Sequence, residues 1–203
     1  ARIAGSDEAL LQQLAEALGY DTQTRRVQPG SVIVAATPMD IAAVVKDCIP
    51  ALSQTQICDW LNEEAKTAPQ VLVTDLHRLT AELRRINLGL CVMTNDAQAP
   101  ARAHLASVQA SDLFDFVIGS DSGFGAKPQA APLLALADKM EIPAAACVMV
   151  GDSTHDLRAG RAAGMRAVAV LTGLAEADEL APLADAVLPD VSNLPAWISV
   201  QNS

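Results

Sequence analysis

The segment from Cys147 to Gly164 constrains the fold more than any other part of the chain. It opens with four apolar residues in a row, a pattern typical of a strand buried on both faces. Asp152 and Asp156 follow, and the residues around them predict a helix that is capped by Thr154 and closed by Gly164. Two carboxylates are therefore expected at the C-terminal end of a parallel strand, where open α/β sheets bind ligands and where oxygen ligands suit a hard cation such as Mg²⁺. A turn residue and a capping charge are the alternative interpretation of these two acids.

From Pro69 onwards, apolar runs and helical stripes alternate along the chain. Strands are predicted at 90–93, 114–118, 147–150, 167–171 and 186–188. Helices are predicted over 72–86, over 99–110, and in a segment that Lys127-Pro128 opens. This alternation predicts an α/β fold with a parallel, doubly wound, Rossmann-like sheet.

Residues 1–68 have a different pattern, which predicts helices and connections only. Three helices are expected there: one from a Ser6 cap to Gly19, one near 38–47 and one near 54–66. The apolar run 32–36 could be a short strand, but it leads directly into Thr37-Pro38, and we interpret it as helix entry. The chain is thus expected to contain a small α-helical domain at 1–68 and an α/β domain at 69–203.

The composition excludes several classes of protein. It is 51% hydrophobic but only 3% aromatic, which favours helices packed on a sheet with an aliphatic core. A formal net charge of -10 without a basic cluster argues against nucleic acid or an anionic membrane as a general partner. No apolar run approaches a membrane span and the first residues have no signal-peptide layout, so a cytoplasmic protein is expected. The cysteines, at 48, 58, 91 and 147, form no metal-like pair and are expected to be reduced core residues.

Polar residues follow three successive predicted strands. Thr94 follows the first, Lys127 lies beyond the second, and Asp152 with Asp156 follows the third. These strand ends share one edge of a parallel sheet, so the four side chains can converge on one site. A hydroxyl, an ammonium and a carboxylate-bound cation are the components of a phosphate site. Singly, Thr94 could be a capping residue and Lys127 a solvated surface lysine.

The order and context of these signals resemble the second, third and fourth motifs of the haloacid dehalogenase-like hydrolase superfamily. Three segments carry the resemblance: Val92-Met93-Thr94-Asn95, Gly125-Ala126-Lys127-Pro128, and Val150-Gly151-Asp152-Ser153 followed after two residues by Asp156. The residues that follow Asp152 look like the phosphoglycolate phosphatase-like branch. The resemblance covers roughly residues 69–190.

The resemblance implies a magnesium-dependent phosphatase whose core is Rossmann-like and whose cap is the helical domain at 1–68. It implies that Thr94 and Lys127 bind the phosphoryl group, with Asn95 in the same substrate-binding set. Asp152 is implied to bind Mg²⁺, and Asp156 to support the metal site directly or through water. A cap that closes over this edge would favour a small phosphorylated metabolite over a phosphoprotein.

The chain departs from the superfamily in one respect. The first motif, a strand that ends in Asp-x-Asp-x-Thr and supplies the nucleophile and the general acid/base, is absent from the 203 residues. Deleting that strand would bare two apolar strand edges, those of the strands ending at Thr94 and Gly151. The chain also begins at Ala1 rather than at methionine. We therefore expect an upstream strand with the nucleophile, and no aspartyl-phosphate formation by the chain alone.

Two other functions are compatible with the sequence. A non-catalytic phosphate-binding or interaction module of the same fold would need no first motif. A serine esterase could use Ser153 of Gly151-Asp152-Ser153, but that mechanism needs a histidine base. The histidines at 77, 104 and 155 offer no obvious triad partner.

Overall fold

The structure, a computed structural model, describes residues 7–28 and 30–201. The chain divides into two compact units, Ala1–Lys66 and Thr67–Ser203, so the boundary falls two residues before the predicted one. Across the described residues, no helix combines the length and the apolar character needed to cross a membrane.

Three helices form most of the first unit: α1 (Glu8–Leu18), α2 (Pro38–Cys48) and α3 (Gln54–Ala65). Their apolar faces meet in a core of Leu14, Ala42, Val45, Ile57 and Cys58. The cap of α1 is Asp7, whose carboxylate accepts the N–H of Leu10, and the helix ends at Gly19 in the left-handed region. The predicted cap, Ser6, lies outside the described residues.

A short antiparallel hairpin shows that the expectation of helices alone was wrong for this unit. Strands β1 (Tyr20–Asp21) and β2 (Arg26–Val27) pair directly after α1. The Asp21 carboxylate accepts the N–H groups of Gln23 and Thr24, and such local bonds favour a turn over a continuing helix. Val32–Val34 forms one 3₁₀ turn ahead of α2, which confirms helix entry rather than a strand.

The strands of the second unit form two parallel sheets that are hydrogen-bonded separately. The first sheet pairs β3 (Cys91–Met93) with β4 (Phe116–Ile118). The second has the order β5 (Val148–Gly151), β6 (Arg166–Val170) and β7 (Ala186–Leu188). The α/β class is confirmed, but the expected sheet is in two parts. Among the described residues, β3 pairs only with β4, and β5 only with β6.

Six helices accompany these strands: α4 (Leu76–Arg84), α5 (Gln98–Ser107), α6 (Ala131–Lys139), α7 (Thr154–Ala162), α8 (Ala177–Leu180) and α9 (Leu194–Gln201). Three predicted starts were wrong. Asp75 caps α4, so Leu72 precedes the helix. The cap of α7 is Ser153 rather than Thr154. Lys127-Pro128 lies in a loop and α6 begins only at Ala131. The side chain of Asn95, from the loop after β3, binds the backbone of Lys127.

The two sheets share one hydrophobic core. Met93 and Ile118 of the first sheet belong to the same buried cluster as Met149 of the second and Leu133 of α6. Burying each large aliphatic side chain of this kind contributes about 1.5–3 kcal/mol. Helix α7 packs closely on β5, since a Cβ at Gly160 would stand 2.7 Å from the Met149 Cβ. This packing places the first turn of α7 beside the ends of the strands.

The cysteines are free thiols, and all are at least partly buried. Cys91 begins β3, and Cys147 lies just before β5, which starts one residue later than predicted. Burial raises the pKa of both thiols, which keeps them protonated at neutral pH. Free thiols that are at least partly buried agree with the expectation of small core residues.

Candidate active site

The C-terminal end of β3 leads into a loop that carries Thr94 and Asn95. The N–H of Thr94 continues the pairing with β4 by donating to the Ile118 carbonyl at 3.0 Å. Its hydroxyl oxygen accepts the N–H of Asp96 at 3.1 Å. Because the hydroxyl acts as an acceptor in this contact, its own proton can be donated to a ligand oxygen.

Lys127 reaches the same strand end from the loop after β4. Its Nζ donates to the Met93 carbonyl at 2.9 Å and lies 2.6 Å from Oδ1 of Asp156. The lysine side chain is 11% exposed and the aspartate side chain 8% exposed, so the ion pair is largely shielded from water. An ammonium carries three N–H donors, and these two contacts account for two of them.

Asp156 lies in the first turn of α7, and both of its carboxylate oxygens have partners. Oδ1 faces Lys127, while Oδ2 accepts the N–H of Ser153 at 3.1 Å and its hydroxyl at 2.7 Å. The Ser153 hydroxyl in turn accepts the N–H of Asp156, which completes a capping box. A Cβ at Gly151 would stand 2.2 Å from the Asp156 Cβ, so the strand end must be glycine for the carboxylate to reach this place.

Asp152 has a contrasting environment. Its pKa is raised, first by burial and then by the negative charge of Asp156, and the positive charge of Lys127 offsets this only in part. The loop after β6 covers the side chain closely, since a Cβ at Gly173 would stand 2.8 Å from the Asp152 Cγ. Among the described residues, Asp152 forms no salt bridge. A cation at this desolvated carboxylate would relieve an unfavourable charge, and carboxylate oxygens are ligands of the kind that a hard cation such as Mg²⁺ takes.

The two loops after β3 and β4 are connected by polar contacts. The carboxamide of Asn95 donates to the Lys127 carbonyl and accepts the Lys127 N–H, both at 2.9 Å. The Asp121 carboxylate accepts the N–H of Gln98 at 2.7 Å, the first residue of α5, whose own cap position offers no side-chain bond. Gly119 lies so close that a Cβ there would stand 2.2 Å from the Gln98 nitrogen.

The structure thus brings several of the sequence-predicted residues together. Asn95 contacts the Lys127 backbone, Lys127 pairs with Asp156, and Asp152 interacts electrostatically with both charged groups. Thr94 lies next to the carbonyl that Lys127 binds. Their roles toward phosphate and metal remain predictions. No group of three or more His, Cys, Asp or Glu side chains in the described ranges is arranged to hold a metal ion.

Three contributors to this geometry escaped the sequence reasoning: the Met93 carbonyl, Asp121 and Gly173. A backbone carbonyl is not marked by any residue type in the sequence. Asp121 and Gly173 each contact a residue more than twenty positions earlier in the chain, Gln98 and Asp152 respectively. For the cap of α7, which was assigned wrongly, the sequence did contain a signal. Ser153 and Asp156 have the Ser-x-x-acid spacing of a capping box, which favours Ser153 over Thr154 as the cap.

The geometry at Ser153 argues against a serine nucleophile. Its hydroxyl donates to the carboxylate of Asp156 and accepts the backbone N–H of the same residue. A nucleophilic serine instead needs its hydroxyl directed at a histidine nitrogen. Ser153 therefore stabilises the start of α7.

Parallel strands with a lysine, a hydroxyl and two carboxylates at their C-terminal ends define an α/β protein with a polar candidate site at one edge of its sheets. Residues 35–170 match the family profile described as haloacid dehalogenase-like hydrolase. The match covers more than half of the chain, and the chain belongs to this family.

Similar proteins agree with this assignment. A phosphoglycolate phosphatase from Rhodospirillum rubrum is 36% identical over 115 residues, which is 57% of this chain and 47% of that protein. One from Pectobacterium atrosepticum is 26% identical over 170 residues, covering 84% of this chain and 73% of that protein. The chain thus spans about half the length of the Rhodospirillum relative.

Solved structures share the fold. A predicted phosphoglycolate phosphatase from Haemophilus somnus 129pt superposes with a TM-score of 0.70 at 20% identity, covering 93% of this chain and 90% of that one. CbbY from Rhodobacter sphaeroides, in complex with phosphate, gives 0.64 at 19% identity over 93% and 90% of the two chains. These similarities establish the haloacid dehalogenase-like α/β fold.

Proposed function

We propose that this chain forms the phosphate- and metal-binding part of a magnesium-dependent phosphatase that acts on a small phosphorylated metabolite. The observation that carries the proposal is the Lys127 ammonium, which is held between the Met93 carbonyl and Asp156 beside the desolvated Asp152. An ammonium fixed at a strand end, next to a carboxylate that favours a cation, suits a phosphoryl dianion better than a neutral substrate.

Lys127 and Thr94 are proposed to bind the phosphoryl group. The third N–H of the ammonium and the proton of the Thr94 hydroxyl are donors of the kind that a phosphoryl oxygen accepts. The shielding of the Lys127–Asp156 pair strengthens the electrostatic interaction with a bound anion. This local field is needed, since the formal net charge of -10 opposes the approach of an anion.

Asp152 is the residue proposed to hold Mg²⁺. When bound there, the cation would supply positive charge to the phosphoryl oxygens. Asp156 is proposed to support this site by holding Lys127, because both of its oxygens already have partners. Whether Asp156 also reaches the metal, directly or through water, stays a prediction.

The nucleophile is proposed to come from a strand that fills the gap between the two parallel sheets. Strands β3 and β5 border the same core, and in the described residues each has one edge without a hydrogen-bonded neighbour. Two such edges favour a further strand between them. The sequence itself contains no Asp-x-Asp, so this strand would lie outside the 203 residues.

The substrate is proposed to be a small metabolite, with phosphoglycolate as the first compound to test because the relatives carry that name. The helical unit Ala1–Lys66 is proposed to be the cap that selects the substrate. The cytoplasm is proposed as the location of the protein. The absence of Asp-x-Asp favours a second function, a module that binds phosphate without hydrolysing it.

Calorimetric titration of the chain with orthophosphate tests the binding site. We expect binding that requires Mg²⁺ and that is lost in Lys127→Met and weakened in Thr94→Val. Arg84→Met, a change at the opposite end of the strands, is the matched control and should bind as the unmodified chain does. Equal phosphate affinity in Lys127→Met would refute the proposed site.

Hydrolysis of an aryl phosphate separates the phosphatase from the binding module. The product of the intact gene should release phosphate in the presence of Mg²⁺, whereas the 203-residue chain should bind phosphate without turnover. If the intact gene product also binds without turnover, the binding module takes the place of the enzyme. A screen over phosphoglycolate, phosphosugars and phosphopeptides then identifies the substrate class, and a preference for peptides would contradict the small-metabolite proposal.

A further inference from the structure

Asn95 makes a two-way contact with the backbone of Lys127. Its Nδ2 donates to the Lys127 carbonyl and its Oδ1 accepts the Lys127 N–H, at 2.9 Å in each case. The residue is 9% exposed, and its contact joins positions 32 apart in the sequence. A primary carboxamide has a donor and an acceptor side by side, so it satisfies both backbone groups of one residue as a neighbouring strand would.

The loop that carries Lys127 needs such a contact. Strand β4 ends at Ile118 and α6 begins at Ala131, so the lysine lies in a segment that neither a helix nor a strand holds. Gly123 and Gly125 in this segment have φ of 86° and 85°, conformations that favour glycine. The ammonium at the far end of the side chain is fixed by the Met93 carbonyl and Asp156. Asn95 fixes the near end.

We propose that Asn95 is a positioning residue that holds Lys127 at the distance from Thr94 that a phosphoryl group requires. Asn95 is the next residue after Thr94, so its side chain links the backbone beside the hydroxyl donor to the backbone of the residue that carries the ammonium. The proposal rests on the phosphatase function proposed above. It adds that the carboxamide acts through Lys127, whereas the sequence suggested contact with the substrate itself.

Competitive acylation of the lysines, read by mass spectrometry, tests this contact without requiring catalysis. In the unmodified chain Lys127 should react slowly, because its ammonium is buried and paired with Asp156. In Asn95→Ala the acylation rate of Lys127 relative to the exposed Lys46 should rise about tenfold, since two hydrogen bonds that hold the residue are lost. The affinity for orthophosphate with Mg²⁺ should fall by a similar factor.

Asp121→Ala is the matched control, because it removes a different contact between the same two loops without touching Lys127. The relative acylation of Lys127 should stay within about twofold in this variant. An equal rise in both variants would mean general loosening of the loops and would overturn the proposal. An unchanged rate in a folded Asn95→Ala would overturn it as well.

A second substitution covers the case in which Asn95→Ala does not fold. Asn95→Asp retains the acceptor for the Lys127 N–H but places an oxygen against the Lys127 carbonyl, so the reactivity of Lys127 should rise by an intermediate factor. If the rate is unchanged, the proposal fails. Protection of Lys127 by orthophosphate in the unmodified chain is read separately. If orthophosphate does not protect Lys127 from acylation, the proposed phosphate site fails. A higher acylation rate of Lys127 in Asn95→Ala would still establish the contact between Asn95 and Lys127.

Discussion

At the N-terminal ends of the strands, two aspartates and two arginines form similar contacts in the two sheets. Asp115, just before β4, donates its backbone N–H to the Leu90 carbonyl at 2.7 Å and accepts the Leu90 N–H on its carboxylate at 2.8 Å. The same carboxylate accepts two hydrogen bonds from Arg84, at 2.8 and 2.9 Å. Before β7, Asp185 likewise donates its backbone N–H to the Ala167 carbonyl, and its carboxylate accepts the N–H of Ala167 and a hydrogen bond from Arg161. The segments Leu-Phe-Asp-Phe-Val-Ile (113–118) and Leu-Ala-Asp-Ala-Val-Leu (183–188) share the underlying spacing.

At the C-terminal ends of the strands, the carboxylates are not all satisfied. Asp156 is bound by Lys127 and by Ser153, but Asp152 is desolvated and near another negative charge. The pKa of Asp115 is lowered, first by its hydrogen bond with Arg84, whereas the pKa of Asp152 is raised by burial. The same residue type thus favours its ionised form at one end of the strands and resists ionisation at the other.

The difference distinguishes an ion pair that holds strand starts together from the ion pair of the candidate site. The Arg84–Asp115 pair is 39% and 32% exposed, and it also satisfies backbone groups at the strand starts. The Lys127–Asp156 pair is much less exposed and leaves a donor and a neighbouring carboxylate with capacity for a ligand. A site that binds a metal and an anion has to retain such unsatisfied groups, at the expense of stability.

The largest effect is expected from Lys127→Met, which removes the cation of the shielded pair. The buried Asp156 carboxylate then lacks its counter-charge, and the free energy of unfolding should fall by about 3 kcal/mol. Orthophosphate binding should be lost. Urea denaturation measures the first effect and calorimetry the second. A loss of less than about 1 kcal/mol would place this pair with ordinary surface pairs.

Gly173→Ala should have the next largest effect, because the added Cβ would stand 2.8 Å from the Cγ and Oδ2 of Asp152. The loop after β6 or the carboxylate must move, which typically costs about 1–3 kcal/mol. Mg²⁺ affinity should fall while Lys127 retains its low reactivity. Gly164→Ala is a useful contrast, since a Cβ there meets no atom within 4 Å and the substitution acts only on the left-handed backbone. Unchanged Mg²⁺ affinity in Gly173→Ala would contradict the proposal that Asp152 binds the metal.

Arg84→Met tests the other end of the strands, where a smaller effect is expected. The pair is more than one-third exposed on the arginine side, so we expect a loss of about 1 kcal/mol and unchanged phosphate binding. The pKa of Asp115 is lower in the folded chain than in the unfolded chain. The ionised carboxylate therefore stabilises the fold above the unfolded-state pKa, and this stability is lost as the pH falls through the folded-state pKa. Acid denaturation should therefore depend less on pH in the variant. Altered phosphate affinity would show that the two ends are coupled.

The sequence allowed the residue types of the site to be predicted, because strands, helices and their polar ends follow local patterns. Thr94, Lys127, Asp152 and Asp156 all lie near strand ends where the apolar runs predicted them. The contacts that orient them are long-range or involve the backbone. No local pattern indicates that the Met93 carbonyl binds an ammonium or that Asn95 binds the backbone of Lys127.

The two-part sheet could not be derived from periodicity alone, since each strand shows the same apolar run whether its neighbour is present or not. The hairpin at Asp21 was missed for a different reason. Its two strands have two residues each, too short for alternation to be recognised, and only the turn chemistry of Asp21 identifies it.

The last predicted effect has the opposite sign. Asp152→Asn should stabilise the metal-free chain at neutral pH by roughly 0.5–2 kcal/mol, since it removes a charge that burial disfavours. The pKa of Asp152 is higher in the folded chain than in the unfolded chain, so the stability that protonated Asp152 contributes is present at low pH and is lost as the pH rises through the folded-state pKa. The stabilities of the Asp152→Asn variant and of the unmodified chain should therefore converge in acid. Added Mg²⁺ should reverse the order of stability, because it stabilises only the chain that retains the carboxylate.

Asp115→Asn is the matched control and should destabilise the chain at neutral pH. Thermal denaturation from acid to neutral pH, with and without Mg²⁺, measures all of these differences, and a destabilised Asp152→Asn at neutral pH without metal would contradict the contrast between the two ends.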